Sequence, residues 1–207
     1  RVTPFIVLSS TLAAAMLIPI FIFASPAYQI GDLLVLIFIF ALGRFFLALS
    51  ALDTASSFGG MGASREMFIS SLAEPALCMA IFAVSLQFGT TNISAFSGIH
   101  AITVSSVVAA LALFMVTIAE TSRIPVDNQE THLELTMVHE AMVLEYSGRS
   151  LALIEMASYI KQMIYFFLIA QLIFPIGLPT AHFLQVLFWV LWYLVRIGII
   201  VVIVALV

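Results

Sequence analysis

Long apolar stretches separated by short polar segments make up almost the whole chain. A helix that crosses a hydrocarbon core of ~30 Å needs about 20 apolar residues, and none of the stretches alternates like a lipid-facing barrel strand. Helices also satisfy their own backbone hydrogen bonds in lipid. The pattern therefore predicts an all-α, polytopic transmembrane bundle with six spanning helices. The predicted spans are Phe5–Ala24, Ile30–Ser50, Phe68–Phe88, Ile99–Ala119, Tyr159–Leu178 and His182–Val207.

The composition agrees with a single integral membrane domain over residues 1–207. The chain is 63% hydrophobic and 9% charged, whereas soluble domains are about 25% charged. The lone Cys78 cannot form an intrachain disulfide, and no pair of intramembrane histidines suggests haem. We therefore expect no metal and no cofactor in this chain. Because it begins with Arg1 and ends inside an apolar run, we also expect it to be part of a longer protein.

The basic residues fall on alternate connections between the predicted helices. The first, third and fifth connections contain no Lys or Arg. By the positive-inside rule, the N-terminus of this chain and the loops at about 51–67 and 120–158 are cytoplasmic. The basic residues that set this orientation are Arg1, Arg44, Arg65, Arg123, Arg149 and Lys161.

Arg196 departs from this pattern, because it lies near the middle of the last apolar stretch. A charge at that depth costs ~2.5–3.5 kcal/mol on insertion scales and usually faces a partner or a wet cavity. The other interpretation is that the helix is shifted, so that Arg196 lies nearer an interface.

The first cytoplasmic loop is rich in glycine. Gly59, Gly60 and Gly62 permit positive φ and the close approach of another chain. Ser64 is predicted to cap the helix that follows. The charged residues of this loop form either a solvated cap with a local ion pair or a docking surface for a soluble partner. These residues are Asp53, Arg65 and Glu66.

Glu74 lies about two turns into the third apolar stretch and is followed by Pro75, which tends to kink a helix. A carboxylate at such a position suits a proton carrier, and we favour this interpretation. The alternative is a structural Glu paired with an Arg of a neighbouring helix.

Residues 120–149 of the second cytoplasmic loop hold six of the eleven acidic residues. At its start, Pro125 ends the preceding helix, so that Glu120, Arg123 and Asp127 can form an ion-paired cluster at the membrane boundary. Further on, Thr131 and the Glu three residues later match a capping box, which predicts a helix over residues 132–146.

The predicted helix at 132–146 is two-sided. Glu134 and Glu145 share one face, and His132 and His139 share another. The histidine spacing does not match a metal-binding helix, so no metal site is predicted. Since the region is acidic, we expect it to line a wet cavity or to contact protein.

Several motifs resemble those of a known family. Residues 119–127 and 145–148 resemble the loop of the first membrane subunit of respiratory complex I. Residues 131–144, 52–67 and 72–75 look like its counterpart in formate hydrogenlyase and other energy-converting, membrane-bound [NiFe] hydrogenases. The similarity covers almost the whole chain.

This resemblance implies a non-catalytic subunit of eight helices in the cytoplasmic (inner) membrane of a prokaryote. It would anchor a peripheral arm, made of the large and small hydrogenase subunits and iron–sulfur subunits that carry the clusters and the NiFe centre. It would pass redox energy to antiporter-like subunits that move protons or sodium ions. One alternative is the quinone-chamber subunit of a complex I-type NADH:quinone oxidoreductase. Another is a self-contained transporter, although the chain has no internal repeat.

The resemblance also implies roles for individual residues. The candidates for proton or ion coupling are Glu74, Glu120, Glu134, Glu140 and Glu145. The candidates for interface or cavity charges are Asp53, Arg65, Glu66, Arg123, Asp127, His132, His139, Lys161 and Arg196. Arg123 and Asp127 fall in the loop that borders the quinone chamber in complex I. His132 stands near a position where the quinone branch usually carries another acid, which favours the hydrogenase branch.

Overall fold

The protein is helical throughout the part that the structure, a computed structural model, describes. The described residues are 2–18, 31–93, 102–121, 126–127, 138–174 and 183–206. They contain helices and no strand, which confirms the all-α prediction. The helices are α1 (Thr3–Leu17), α2 (Leu33–Asp53), α3 (Ser57–Phe88), α4 (Val104–Glu120), α5 (His139–Val143), α6 (Gly148–Ile173) and α7 (Phe183–Leu206).

Six long helices correspond to the six predicted apolar stretches. Among them, α2, α3 and α6 are long and apolar enough to cross a membrane, whereas α1, α4 and residues 190–205 of α7 are shorter apolar helices. The number of spans therefore stays a prediction, as do the eight helices expected in the family.

The predicted loop at 51–67 is almost entirely helical. Helix α2 continues to Asp53 and α3 begins at Ser57, which leaves only residues 54–56 between them. The cap of α3 is Ser56, whose hydroxyl accepts the N–H of Gly59 at 3.1 Å. Ser64 was wrongly predicted as this cap: it lies inside α3 and donates to the carbonyl of Met61. The glycines weaken the apolar pattern, yet they do not end a helix that packs on its neighbours.

The second predicted loop also needs correction. Its last part, residues 148–158, forms the first turns of α6. The helix predicted over 132–146 is helical only at His139–Val143 in the described residues, because Val138 is a bend and Leu144–Glu145 form a turn.

Helix α6 lies at the centre of the bundle. Its residues from Ile164 to Leu172 are buried without interruption, and it packs against α1, α4 and α7, while α2 joins α1 to α3. The outer surfaces carry exposed large apolar side chains, among them Phe38, Phe68 and Leu86. Such a surface fits the hydrocarbon of a bilayer.

Short α5 is held against α3 at Gly62. A Cβ at this glycine would lie 2.8 Å from the Cβ of Ala141 and 2.9 Å from the carbonyl oxygen of Val138. Gly62 thus permits a close approach, but of α5 in the same chain; the approach of another chain stays a prediction, and the predicted positive φ does not occur. In the described residues, positive φ occurs at Ala55, Gly89 and Gly148 and at none of the loop glycines.

Gly62→Ala is expected to destabilise the protein by roughly 1–3 kcal/mol, because overpacking forces α5 away from α3. Gly60→Ala is the matched control, since its Cβ would meet nothing within 4 Å. Removing a glycine from a helix interior stabilises by roughly 0.5–1 kcal/mol. Thermal unfolding of the purified protein in detergent should therefore move in opposite directions for the two variants. A parallel shift would contradict the packing.

Candidate functional site: a buried ion-pair cluster

Arg44 on α2 connects two acidic residues from different helices. Its side chain is 6% exposed, and Nη2 lies 2.9 Å from Oε1 of Glu74 on α3. Its Nη1 forms a short ion pair with Glu120 at the end of α4 and also donates to the hydroxyl of Ser70 at 2.9 Å. A guanidinium suits this place, because its planar fork can bind two carboxylates at once.

Glu120 is the most enclosed member of the cluster, with 1% of its side chain exposed. One carboxylate oxygen pairs with Arg44. The other accepts a hydrogen bond from Nζ of Lys161 at 2.6 Å, and the same Nζ is 3.2 Å from the backbone carbonyl of Glu120. Two cations thus face two carboxylates, so the cluster is balanced in charge. Here "the cluster" means Arg44, Glu74, Glu120 and Lys161.

A cavity of about 50 Å³ adjoins the cluster and brings two further titratable residues to it. Glu66 of α3, which is buried, and His139 of α5 line this cavity together with Arg44, Glu120 and Lys161. Because a water molecule needs roughly 10–15 Å³ of such space, the cavity can hold water. It joins the cluster to the α5 end of the molecule.

Asp127 fixes the start of α5. Its carboxylate is buried and accepts the backbone N–H groups of Val138 at 3.3 Å and His139 at 2.9 Å. A carboxylate at a helix N-terminus satisfies unpaired N–H groups and matches the helix dipole. Asp127 therefore positions His139 beside the cavity. The sequence had instead predicted that Asp127 would join an ion-paired cluster with Glu120 and Arg123.

The environment of His139 keeps its imidazole neutral. Burial, together with the positive charge of Lys161, lowers the pKa of His139 from 6.5 to about 4, and the nearby carboxylate of Asp127 opposes this only in part. At neutral pH the side chain can accept or donate a hydrogen bond without adding a third cation beside the cluster.

The lowered pKa of His139 predicts a defined pH dependence of stability. Between pH 6.5 and about 4 the unfolded chain binds a proton at His139 that the folded chain does not. The contribution of neutral His139 to the free energy of unfolding is therefore full above pH 6.5 and is lost as the pH falls. The arithmetic gives a loss of about 2 kcal/mol at pH 5 relative to pH 7. His139→Gln should reduce the difference between unfolding temperatures at pH 7 and pH 5. Equal differences in variant and parent would contradict the assignment.

The structure brings together five of the predicted site residues, namely Glu66, Glu74, Glu120, His139 and Lys161. Lys161 was counted among the basic residues of a connection, although the predicted span Tyr159–Leu178 already contained it, and it lies inside α6. Glu74 is paired with an Arg of a neighbouring helix, which was the alternative interpretation of this residue. Its possible role in proton transfer stays a prediction.

Other predicted residues lie elsewhere. Asp53 and Glu145 are exposed and line a separate surface groove of about 830 Å³. Arg65 lines a small groove with Phe68 and Val138, and Glu140 is half-buried in the first turn of α5. The predicted residues that fall outside the described part of the chain are Arg123, His132 and Glu134.

Arg196 occupies a second buried position, on α7. It is 2% exposed, and its depth in the membrane stays a prediction. Its Nη1 donates to the side-chain oxygen of Gln171 at 3.4 Å and to the carbonyl of Phe174, and its guanidinium lies 5.8 Å from the ring centroid of Tyr193. The carbonyls at the end of α6 carry partial negative charge, which compensates the guanidinium.

Sequence reasoning missed the central role of Arg44. It was counted among residues that flank a loop, although it lies inside the apolar run that forms α2. A charge within a predicted span is a candidate functional residue by default, and that signal could have found it. Ser70 carried no comparable signal.

No three His, Cys, Asp or Glu side chains in the described ranges could together hold a metal ion. That the whole chain lacks a metal and a cofactor stays a prediction.

Fold and site together define a class: an all-α membrane protein whose helices enclose a network of ion pairs. The chain belongs to the NADH dehydrogenase family, since the model of that family matches residues 1–207. It is 39% identical over 181 residues to hydrogenase-4 component C of Escherichia coli K12, covering 86% of this chain and 56% of the relative. It is 32% identical over 182 residues to formate hydrogenlyase subunit 4 of the same strain, covering 86% and 58%. The chain thus spans just over half the length of these relatives, and the family resemblance stated above is confirmed.

Proposed function

We propose that this chain is a membrane subunit of a hydrogenase complex of the hydrogenase-4 or formate hydrogenlyase kind, which couples redox chemistry to the movement of protons or sodium ions. Two relatives named as components of such systems support this proposal and do not favour the quinone-chamber alternative. The chain would bind no redox centre, and partner subunits would carry the iron–sulfur clusters and the NiFe centre.

The observation that carries the proposal is that Arg44 connects Glu74 and Glu120 in a buried, charge-balanced cluster. In such surroundings a change in the charge of one member changes the energy of the others strongly, because screening by water is weak. If a proton reached Glu120, Arg44 would be left with Glu74 as its only carboxylate. The cluster can therefore pass a change in charge from Glu120 through Arg44 to Glu74.

The two ends of this network differ in a way that suits directional coupling. One end is the cavity with Glu66 and His139, near the loops that we propose to be cytoplasmic and to contact the peripheral hydrogenase subunits. The other end is Glu74, whose side chain is 39% exposed on the outer side of α3. We place an antiporter-like subunit against the exposed part of Glu74.

Glu74→Gln tests the proposal in the intact complex reconstituted into sealed vesicles. The amide keeps the shape of the side chain and cannot carry the charge or the proton. Since a positioned proton-transfer group contributes ~10²–10⁴-fold, the ions moved per hydrogen should fall about tenfold or more. Hydrogen production itself should continue.

The matched control is Asp53→Asn, which neutralises an exposed carboxylate in the separate surface groove. It should leave both hydrogen production and ion movement at the parental level. If Glu74→Gln moved as many ions per hydrogen as the parent complex, Glu74 would have no part in coupling.

A further inference from the structure

Tyr165 is a buried polar residue whose hydroxyl has no hydrogen-bond partner within the part of the chain that the structure describes. It lies on α6 and is 1% exposed. Buried hydroxyl groups are nearly always hydrogen-bonded, and an unpaired one destabilises the folded state. This residue therefore needs an explanation other than packing.

The ring of Tyr165 lies near the cluster. Tyr165 follows Lys161 by four residues, about one helical turn, on the side away from the cavity. Its ring is 5.4 Å from that of Phe40, and Nζ of Lys161 is 5.8 Å from the same Phe40 ring. The charges of Glu120, Arg44 and Glu74 all act on its phenol group.

Packing does not require a hydroxyl at this position. The two residues that follow on α6, Phe166 and Phe167, are buried phenylalanines. A phenylalanine at 165 would keep the ring contact with Phe40 and would remove the unpaired oxygen. The sequence instead retains a group that can both donate and accept a proton.

We propose that the Tyr165 hydroxyl is a proton-relay group, which continues the network from the cluster further along α6. This inference rests on the proposed coupling function. In the relay step the phenolic oxygen accepts a proton from a protonated water molecule on the cluster side, while its own proton leaves to a water molecule on the other side. One O–H bond forms as one breaks, the tyrosine stays neutral, and no electron moves. Rotation about the C–O bond restores the starting state.

Tyr165→Phe tests this in the complete complex, with hydrogen production and ion movement measured together in sealed vesicles. We expect hydrogen production within about twofold of the parent and ion movement per hydrogen about tenfold lower or more, since a positioned proton-transfer group contributes ~10²–10⁴-fold. The unfolding temperature should be unchanged or higher, because an unpaired buried hydroxyl is removed. A tyrosine kept for structure would show the reverse, namely lower stability with normal coupling.

The control is Tyr159→Phe, which removes a hydroxyl from an exposed tyrosine of the same helix. It should change neither quantity. If the parent complex moves ions and Tyr165→Phe moves as many per hydrogen, the relay is refuted while the proposed function stands. If the parent complex moves no ions at all, the proposed function itself fails, and the relay fails with it.

Discussion

Glu120→Gln is expected to destabilise the protein by about 3–5 kcal/mol, the cost of removing one partner from a buried ion pair. The carboxylate is 1% exposed and faces both Arg44 and Lys161. Its loss would leave these two cations in a site from which water is largely excluded. The yield of folded protein and its unfolding temperature in detergent should both fall.

A second substitution separates this effect from a simple loss of packing. In the double variant Glu120→Gln with Lys161→Gln, one of the two stranded cations is removed as well, so the double variant should be more stable than Glu120→Gln alone. Additive losses would show that the two residues do not interact. A Glu120→Gln protein as stable as the parent would contradict the buried cluster.

Arg44→Met should be nearly as damaging, because it leaves Glu74 and Glu120 without the cation that joins them. Glu120 would keep Lys161, and Glu74 is partly exposed, so we expect roughly 3 kcal/mol, the low end of the range for broken buried pairs. The stability of Arg44→Lys should lie between those of Arg44→Met and the parent, since one ammonium cannot reproduce the planar fork of the guanidinium. Thermal unfolding of the three proteins tests this order.

Arg149→Met is the matched control for the loss of a cation. Arg149 is exposed, and surface substitutions usually change stability by less than ~0.5 kcal/mol. If Arg44→Met were as mild as Arg149→Met, the guanidinium would not hold the two carboxylates together.

The helices could be predicted because the bilayer imposes a simple requirement on them. Uninterrupted apolar runs in lipid must satisfy their own backbone hydrogen bonds. The runs around α2 and α6 form helices, as predicted. The segment 57–67 was missed because its glycines and serines resemble a loop. In the structure this segment packs closely on α5 at Gly62, a tertiary contact that a local sequence pattern does not indicate.

The cluster was only partly predictable, for a similar reason. The charge of Glu74 inside an apolar run identified it, and pairing with an Arg was one of its two interpretations. The sequence could not indicate that Glu145 would lie in a different groove from Glu120, because that depends on where α5 ends. The identity of the second cation, Lys161, depends on how α4 and α6 pack.

We expect the cluster to change its charge state during turnover, and infrared difference spectroscopy of the reconstituted complex can detect such a change in its carboxyl groups. Spectra recorded with and without hydrogen should contain a band from a carboxyl group that gains or loses a proton. This band should disappear in Glu74→Gln and persist in Asp53→Asn. A difference spectrum without any carboxyl band, or one that is identical in Glu74→Gln and the parent, would contradict the account.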